Sequence, residues 1–329
     1  MSRPRALLAM APGLPGQLFD ERQRARLASL ADLVRPDAVG EIPDGAADVE
    51  LLVTGWNAPR LDAAALDRLP NLRLVAHAAG TVKTFVTGEV FARGVRVTSV
   101  ADANAIPVAE YTFAAILFGA KRALPLAHWY REHRRSRDVG GVAWLGTHGI
   151  TIGVIGASRT GRRVIGLLRN LDAEIQVHDP YLDEAGAREL GVRRVGLDEL
   201  LSTSHVVSVN APATPETRHL LDARRLALLP DGCVLVNTAR GSLIDHEALL
   251  PHLVSGRIDA VLDVASPEPP PPDSPLYDLP NVLLTPHIAG ALGNEVGRLG
   301  RAVLDEIEAH YGGRPMPGEV RPGELGRLA

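Results

Sequence analysis

Cysteine and long apolar runs are the features that this sequence most clearly lacks. Cys233 is the single cysteine among 329 residues, which excludes a disulfide bond within the chain. It lies in the apolar run Cys233–Val236, which predicts a buried strand residue and not a nucleophile. The longest apolar runs, Ala6–Ala11 and Tyr111–Ala120, are far shorter than the ~20 residues of a membrane-spanning helix. We therefore expect no membrane segment and a cytoplasmic protein.

A strong basic excess is also missing. Lysine and arginine number 35 against 39 acidic residues, and the formal net charge is -4. Proteins that hold nucleic acid usually carry a strong positive charge, so we expect no nucleic-acid partner. Cysteine and histidine show no metal-ligand spacing, since His128 and His133 alone are too few, so we expect no metal. A Gly-x-Ser-x-Gly turn is absent too, which argues against a serine hydrolase.

Short apolar segments alternate with helical segments along the chain, which predicts parallel sheets built from βαβ units. A length of 329 residues suggests two domains. The brief apolar start is followed by a loop at Pro12–Pro15, which favours a first strand over a signal peptide. The elements predicted in the first third are strands at Ala6–Met10, Leu51–Thr54, Leu72–His77 and Val95–Thr98 and helices at Phe19–Ala31, Asp62–Arg68 and Thr87–Arg93.

A second series of strands begins after Gly149. The predicted strands are Thr151–Ile155, Glu174–His178, Val206–Val209, Cys233–Asn237, Ala260–Asp263 and Val282–Thr285. Six strands with helices between most of them are typical of a doubly wound dinucleotide-binding fold. We therefore predict an α/β protein made of two Rossmann-like or flavodoxin-like parallel-sheet domains with a cleft between them.

A long apolar helix separates the two series. It is expected from about Asn104 to Ala123, with Pro107 in its first turn, where a missing N–H costs little. Because it is apolar on more than one side, we expect it to pack between domains or subunits, which suggests a homodimer. A last helix near 293–310 would return to the first domain, and the tail after it would be mobile or draped over a surface. The predicted domains are residues 1–103 with 292–329, and residues 104–291.

The segment Gly153–Gly161 follows a predicted strand and opens a helix, as a dinucleotide-binding turn does. Gly156 would allow the tight bend, and Gly161 would allow the helix to pack closely on the strand. The N–H groups at Arg159 and Thr160, at the start of the helix, would face a pyrophosphate.

Ser158 stands where this turn usually has its middle glycine. Serine is small and its hydroxyl could itself donate to phosphate, so we expect binding to survive. Asp179 ends the next strand, 18 residues after Gly161, which is close to the spacing of the acid that binds the ribose hydroxyl. A carboxylate there would repel a 2′-phosphate, so the sequence predicts NAD(H) in preference to NADP(H).

Three more polar segments start at the carboxyl ends of predicted strands. They are Asn237–Asp245, Asp263–Pro269 and Leu284–Gly290. In an open parallel sheet these ends line one crevice, so Arg240, Glu268 and His287 would converge. Each residue alone has an ordinary structural explanation, but three apt side chains at successive strand ends indicate chemistry.

These side chains suit the reduction of a 2-oxo acid. The Arg240 guanidinium can bind a carboxylate through two parallel hydrogen bonds and polarise the carbonyl. The His287 ring titrates near neutral pH and can give a proton to the developing alkoxide. A carboxylate at Glu268 would favour the protonated ring, and a nicotinamide would supply the hydride.

With these motifs the chain resembles the D-isomer-specific 2-hydroxyacid dehydrogenase family, which includes phosphoglycerate dehydrogenase and glyoxylate/hydroxypyruvate reductase. The resemblance extends from about Leu72 to Leu292 and is supported by Val108–Thr112. It implies an NAD-dependent enzyme that interconverts a small 2-oxo acid and its D-2-hydroxy acid. It makes 104–291 the cofactor domain and the remainder the substrate domain.

The resemblance also implies roles for single residues. The catalytic residues would be Arg240, Glu268 and His287. The cofactor would lie near Thr238 and Ala239, with its amide on Asp263. Backbone N–H groups would hold the substrate carboxylate, and the residues concerned are Ala78, Ala79, Gly80 and Thr81, with Asn104 close by.

The sequence departs from the family pattern in the loops that would touch the substrate. The loop 75–81 has less glycine than is usual, and Ala265-Ser266 replaces a common aromatic–acid pair. The basic segment Tyr130–Arg137 is either a solvated connection or an anion site that would suit a phosphate or phosphonate. Lys83 could serve similarly, and His77 is either structural or in contact with substrate.

The substrate, the direction and the pathway therefore stay open at this point, as does the effect of Ser158 on cofactor affinity. A formate dehydrogenase is disfavoured, because such enzymes carry glutamine where this chain has Glu268. A phosphite-type dehydrogenase of the same fold and an NAD(H)-sensing binding protein remain as alternatives.

Overall fold

The structure is a computed structural model that describes residues 3–136, 139 and 144–327. The chain divides into two compact units, and each is described by itself. The first contains the residues up to Ala105 and those from Ala291 onward, and the second contains Ile106–Gly290.

Both units alternate strands and helices. The strands are β1 (Arg5–Ala9), β2 (Asp32–Leu33), β3 (Leu51–Thr54), β4 (Leu74–His77), β5 (Arg96–Ser99), β6 (Thr151–Ile155), β7 (Glu174–His178), β8 (Arg193–Arg194), β9 (Val206–Val209), β10 (Val234–Asn237), β11 (Asp259–Leu262), β12 (Val282–Leu284) and β13 (Glu319–Val320). The α-helices are α1 (Leu14–Leu18), α2 (Glu21–Leu30), α3 (Ala63–Asp67), α4 (Gly88–Ala92), α5 (Ala101–Ala120), α6 (Ala123–His133), α7 (Arg159–Leu168), α8 (Glu184–Leu190), α9 (Leu197–Thr203), α10 (Ala223–Leu226), α11 (His246–Val254) and α12 (Val296–Tyr311).

The first unit is built on a six-stranded sheet in the order β13-β5-β4-β3-β1-β2. Its five N-terminal strands are parallel, in the order typical of flavodoxin-like folds. The residues of β3 and β4 are buried throughout, as expected for parallel strands covered on both faces. Helix α12 packs against α1 and α2 in the core of this unit.

The C-terminal tail is ordered as far as the structure describes it. Strand β13 pairs antiparallel with β5. The buried carboxylate of Glu306 on α12 accepts hydrogen bonds from the Thr98 hydroxyl at 2.6 Å and from the Gly318 N–H at 2.9 Å. The tail was expected to be either mobile or draped over a surface, and the described part of it is draped over the first unit. Composition favours mobility here, but a buried acid on the preceding helix fixes the segment.

The second unit is built on a seven-stranded parallel sheet in the order β12-β11-β10-β9-β6-β7-β8. Its chain order changes direction between β6 and β9, as in a Rossmann fold, and ligands bind at such switch points in open parallel sheets. The two sheets confirm the predicted α/β class. The predicted strands of this unit agree with the observed ones to within one residue.

Helix α5 is long and apolar enough to cross a membrane by length and composition. Its residues Ala109, Ala115, Ile116 and Ala120 are buried in the apolar core of the second unit, which is the pattern of a core helix. The expectation that Pro107 lies in the first turn was wrong. The helix begins at Ala101, directly after β5, so the proline is its seventh residue.

Gly300 on α12 provides a test of the packing in the first unit. A Cβ at this position would collide with the carbonyl oxygen of Leu18 on α1. We expect Gly300→Ala to lower the free energy of unfolding by about 3 kcal/mol, because a rigid backbone atom has to move. Chemical denaturation followed by circular dichroism measures this change.

Gly297, on the same helix, is the matched control. A Cβ there meets no atom within 4 Å, so Gly297→Ala should stabilise the protein by about 0.5 kcal/mol through helix propensity alone. Equal denaturation midpoints for the two variants would contradict the close approach of α12 to α1.

Candidate functional site

The turn after β6 has the shape of a dinucleotide-binding turn. Gly156 has φ +94, and a Cβ on it would lie 2.8 Å from the backbone of Ala211. A Cβ on Gly161 would collide with the carbonyl oxygen of Gly156. Both glycines are therefore required by the local backbone. Arg159 and Thr160 form the first turn of α7, whose N-terminal N–H groups point toward the bend.

Ser158 is the N-cap of α7. Its hydroxyl accepts from the Gly161 N–H at 3.2 Å and donates to the carbonyl of Asn210 at 2.8 Å. The hydroxyl hydrogen is thus directed at a backbone carbonyl in this structure, and its expected donation to a phosphate stays a prediction. Serine is small enough to keep the turn, and it ties the turn to the residue that follows β9.

Asp179 follows β7 at the same edge of the sheet. Its carboxylate accepts from the Ala157 N–H at 2.7 Å and from the Tyr181 N–H at 2.8 Å, so it holds the glycine turn against β7. The side chain is half-buried and keeps lone pairs that can accept from ribose hydroxyls. The residues of the turn and this acid fit a dinucleotide.

The loop after β10 carries Arg240. The Asn237 side chain folds over the loop, accepting from the Ala239 N–H at 3.0 Å and donating to the Arg240 carbonyl at 2.9 Å. Arg240 itself donates to the Ala239 carbonyl at 2.6 Å. Burial lowers the pKa of the Arg240 guanidinium below its usual value, and the charge of Glu268 acts to raise it. Thr238 begins the loop, with its hydroxyl 2.6 Å from that of Thr112 on α5.

The loop after β11 carries Asp263 and Glu268. Asp263 is 1% exposed, and its carboxylate accepts from the Thr285 hydroxyl at 2.7 Å and the Ile288 and Ala289 N–H groups at 2.8 and 2.9 Å. All three donors belong to the loop after β12. The residue expected at the nicotinamide amide is therefore also the anchor of the histidine loop.

His287 lies in the loop after β12, and its ring is held by Glu268. Nδ1 of His287 is 2.7 Å from Oε1 of Glu268. Both side chains are a little under half exposed. If Nδ1 donates to the carboxylate, Nε2 is left to exchange a proton with a ligand. The backbone at His287 has φ +55, which is unusual for a residue with a side chain.

One edge of the second sheet therefore carries a cationic guanidinium, an imidazole and a carboxylate. The arrangement can bind an anion and move a proton. Since the glycine turn follows β6 at the same edge, a dinucleotide there would share the edge with these side chains.

In the first unit, the expected substrate residues follow β4. The Ala78 N–H already donates to the Thr54 carbonyl at 2.8 Å, so its expected role in binding a carboxylate was wrong. Ala79, Gly80 and Thr81 make no backbone N–H bond within the described part of this unit. The side-chain nitrogen of Asn104 lies 3.5 Å from where a Cβ of Gly80 would be.

His77 is the last residue of β4 and directly precedes this loop. Its Nδ1 is 3.0 Å from the Thr54 hydroxyl, and its ring lies against Phe85. Burial lowers the pKa of His77 to about 3, against a hydrogen bond to the Thr81 backbone that acts to raise it. The ring is therefore neutral, and its contacts with Thr54 and Phe85 favour the structural role of the two considered for it.

The basic segment lies partly on α6. Tyr130 through His133 end that helix, Arg134 follows it, and the described residues of the segment are mostly exposed. Arg137 lies outside the described residues.

Several residues that shape the site were missed by sequence reasoning. Tyr111 and Thr112 of α5, Thr285, and Gly241 all contact the loops that carry the charged groups. The sequence signal for two of them was present in Val108–Thr112, but it pointed to a family and not to a contact.

Comparison with known proteins shows which family contains the residues at this edge of the sheet. Residues 113–289 match the family model described as D-isomer specific 2-hydroxyacid dehydrogenase, NAD binding domain. Similar proteins include a D-3-phosphoglycerate dehydrogenase of Mycobacterium tuberculosis, 33% identical over 98% of this chain and 60% of the relative. A glyoxylate reductase of Korarchaeum cryptofilum is 33% identical, over 83% of each chain.

A solved structure shows the same fold. The phosphoglycerate oxidoreductase of Rhizobium etli has a TM-score of 0.81 and 26% identity, covering 97% of this chain and 99% of that one. The chain spans 60% of the length of the mycobacterial relative. The matched residues include the glycine turn and all three strand-end side chains. The chain therefore belongs to the D-isomer-specific 2-hydroxyacid dehydrogenase family.

Proposed function

We propose that this protein is an NAD-dependent oxidoreductase that interconverts a small 2-oxo acid and its D-2-hydroxy acid. The observation that carries the proposal is the 2.7 Å contact between His287 and Glu268, at the sheet edge that also carries Arg240 and the glycine turn. Family membership supports the reaction class. A reaction that uses NAD(H) and a small organic acid fits the cytoplasm, where we propose that the protein works.

His287 acts as the general acid and base in this proposal. Its Nδ1 is oriented by the carboxylate of Glu268, so Nε2 faces the substrate oxygen. In the reductive direction Nε2 donates a proton to the oxygen of the former carbonyl, and in the oxidative direction it accepts that proton. Glu268 holds the ring in one orientation and stabilises its charged form.

Arg240 binds the substrate carboxylate and polarises the carbonyl. Its partial burial strengthens both interactions, since less water competes for the guanidinium. The nicotinamide supplies or accepts the hydride when it is bound. Gly156, Arg159, Thr160 and Gly161 hold its phosphates in this proposal, and Thr238, Ala239 and Asp263 lie near its ring.

In the first unit, we propose that the N–H groups of Ala79, Gly80 and Thr81 bind an anionic group of the substrate. They follow a parallel strand and lack an internal partner among the described residues of that unit. The Asn104 side chain, whose oxygen accepts from the Ala291 N–H at 3.1 Å, has its nitrogen beside Gly80, and we propose that it lies close to this anionic group.

The substrate class is to be decided by a panel of 2-oxo acids assayed with NADH. Glyoxylate, hydroxypyruvate, pyruvate and an aryl pyruvate represent single anions. A phosphooxy- or phosphonopyruvate tests for a second anion site, as the similarity to D-3-phosphoglycerate dehydrogenase suggests. An assay of phosphite with NAD tests the alternative of a phosphite-type dehydrogenase with the same fold. Tight NADH binding without turnover of any compound would support a sensor instead of an enzyme.

Removal of the imidazole is the first test. We expect His287→Ala to lower kcat for the best 2-oxo acid by at least about 100-fold, because the proton donor is lost. Binding of NADH, followed by its fluorescence, should stay nearly unchanged. Steady-state kinetics at fixed pH measures the effect.

His148 provides the control for this substitution. It forms a similar pair with Asp172, but it precedes β6 at the opposite edge of the sheet and its side chain is 90% exposed. His148→Ala should keep full activity. A His287→Ala enzyme as fast as the parent would end the proposal.

The cofactor preference is the second test. We propose NAD(H) because the Asp179 carboxylate would repel a 2′-phosphate. Asp179→Ser should lower the preference for NADH over NADPH, expressed as the ratio of kcat/KM values, by about 10-fold or more. Asp172→Ser, at the amino end of the same strand β7, should leave the ratio unchanged. A parent enzyme that prefers NADPH would contradict this assignment.

We also propose a homodimer. The expected interface was the long helix, but the buried face of α5 packs on its own sheet. Helix α6 carries Leu124, Leu126, Trp129 and Tyr130, and none of its described residues is buried. A second copy would cover this apolar face.

Light scattering tests the dimer directly. The parent should show twice the chain mass of 35.1 kDa. The double variant Leu126→Glu with Tyr130→Glu should show the mass of one chain, because charges would be buried in the interface. Val254→Glu, on another exposed apolar side chain, should stay dimeric. A monomeric parent would refute the assignment.

A further inference from the structure

Helix α5 reaches two of the loops that carry the candidate catalytic residues. The Tyr111 hydroxyl lies 2.8 Å from the hydroxyl of Thr285, which follows β12. The Thr112 hydroxyl lies 2.6 Å from the hydroxyl of Thr238, which follows β10. Consecutive positions on a helix point in directions about 100° apart, so adjacent side chains can reach different strand ends.

The bond from Tyr111 continues to the buried carboxylate of Asp263. Thr285 donates to Oδ1 of that carboxylate at 2.7 Å. A carboxylate only accepts, and a threonine hydroxyl has one hydrogen, so Tyr111 must be the donor to Thr285. Burial raises the pKa of Tyr111, which keeps the phenol protonated and able to donate. The chain of hydrogen bonds therefore has one possible direction.

The same carboxylate holds both sides of His287. Thr285 lies two residues before the histidine, and the N–H groups of Ile288 and Ala289 lie directly after it. The His287 N–H itself donates to the Asp263 carbonyl at 2.9 Å. Because a left-handed backbone persists only where its surroundings hold it, these bonds fix the φ of +55.

We propose that Tyr111 and Thr285 are positioning residues, whose hydroxyls act through Asp263 to fix the backbone of His287 and aim its ring. Neither hydroxyl needs to touch substrate or cofactor. The expected effect of these hydroxyls on catalysis rests on the proposed function. Their expected effect on the histidine loop does not depend on it.

The consequence for catalysis is specific. A looser histidine loop misplaces the proton donor without altering the guanidinium or the glycine turn. The loss should therefore fall on kcat and leave KM and NADH binding nearly unchanged. A general loss of structure would instead affect all of them.

Thr285→Val tests the proposal, since it removes the hydroxyl and keeps the shape. We expect kcat to fall about 10- to 100-fold, because small errors in the position of a catalytic group are costly. Tyr111→Phe should act in the same direction by a smaller factor. Thr285→Ser restores the hydroxyl and should recover most of the kcat lost in the valine variant.

Amide hydrogen exchange gives a readout that needs no turnover. In Thr285→Val, exchange at Ile288 and Ala289 should become about 3- to 10-fold faster, as expected for the loss of one buried hydrogen bond. Mass spectrometry of peptides that cover residues 285–292 follows it. Thr112→Val removes the neighbouring hydroxyl of the same helix and should leave exchange at these two amides unchanged.

The outcomes separate this proposal from the proposed function. A parent without turnover of any acid refutes the function, while faster exchange in Thr285→Val alone still supports the positioning role. Unchanged exchange and unchanged kcat in Thr285→Val would overturn the proposal, as would a serine variant that fails to recover either.

Discussion

The hydrogen bond between Nδ1 of His287 and Oε1 of Glu268 joins loops that follow different strands, and the candidate site depends on it. The two strands pair in parallel, with Leu262 opposite Leu284. This register brings the carboxyl ends of both strands, and the loops that follow them, to one edge of the sheet. A shift of one residue would move one loop relative to the other by about 3.3 Å along the strand direction and break the 2.7 Å contact. The chemistry of the site is thus a consequence of strand register.

The distance between the guanidinium and this pair is set by a glycine. Gly241 follows Arg240, and a Cβ there would collide with the carbonyl of Ala265 in the loop that carries Glu268. The two loops are therefore in backbone contact. Any side chain at this position would push the Arg240 loop away from the acid, and the charge of Glu268 would act on the guanidinium less strongly. The close approach of the two backbones at Gly241 therefore also determines how strongly the charge of Glu268 acts on Arg240.

The parallel strands and the charged residues at their ends could be predicted from the sequence. Apolar runs such as Val206–Val209 report burial, and the chain order of strands and helices limits the topology. The hydroxyl contacts could not be predicted, since Tyr111 and Thr285 are 174 residues apart in the chain. The periodicity of apolar residues indicates which face of a helix or strand is buried, but it does not indicate which atoms of other elements contact that face.

The same limit applies to contacts that local composition does not reveal. Serine in a glycine turn suggests a new donor, yet the Ser158 hydrogen was taken by the Asn210 carbonyl, a partner that only the folded sheet brings near. Similarly, the polar composition of the tail says nothing of the buried Glu306 that holds it. In both cases a partner distant in sequence decided the outcome, and local composition was a poor guide.

Magnitudes decide what keeps His287 in its unusual conformation. A left-handed backbone at a residue with a side chain costs about 1–3 kcal/mol. Each hydrogen bond to a charged group contributes about 1.5–3 kcal/mol, and Asp263 accepts three from this one loop. The three bonds therefore outweigh the strain, by a margin of roughly a few kcal/mol. The direction of donation from Tyr111 through Thr285 to Asp263 is fixed, so each hydroxyl has one orientation that serves the buried carboxylate, and the loop that carries His287 is held from both sides.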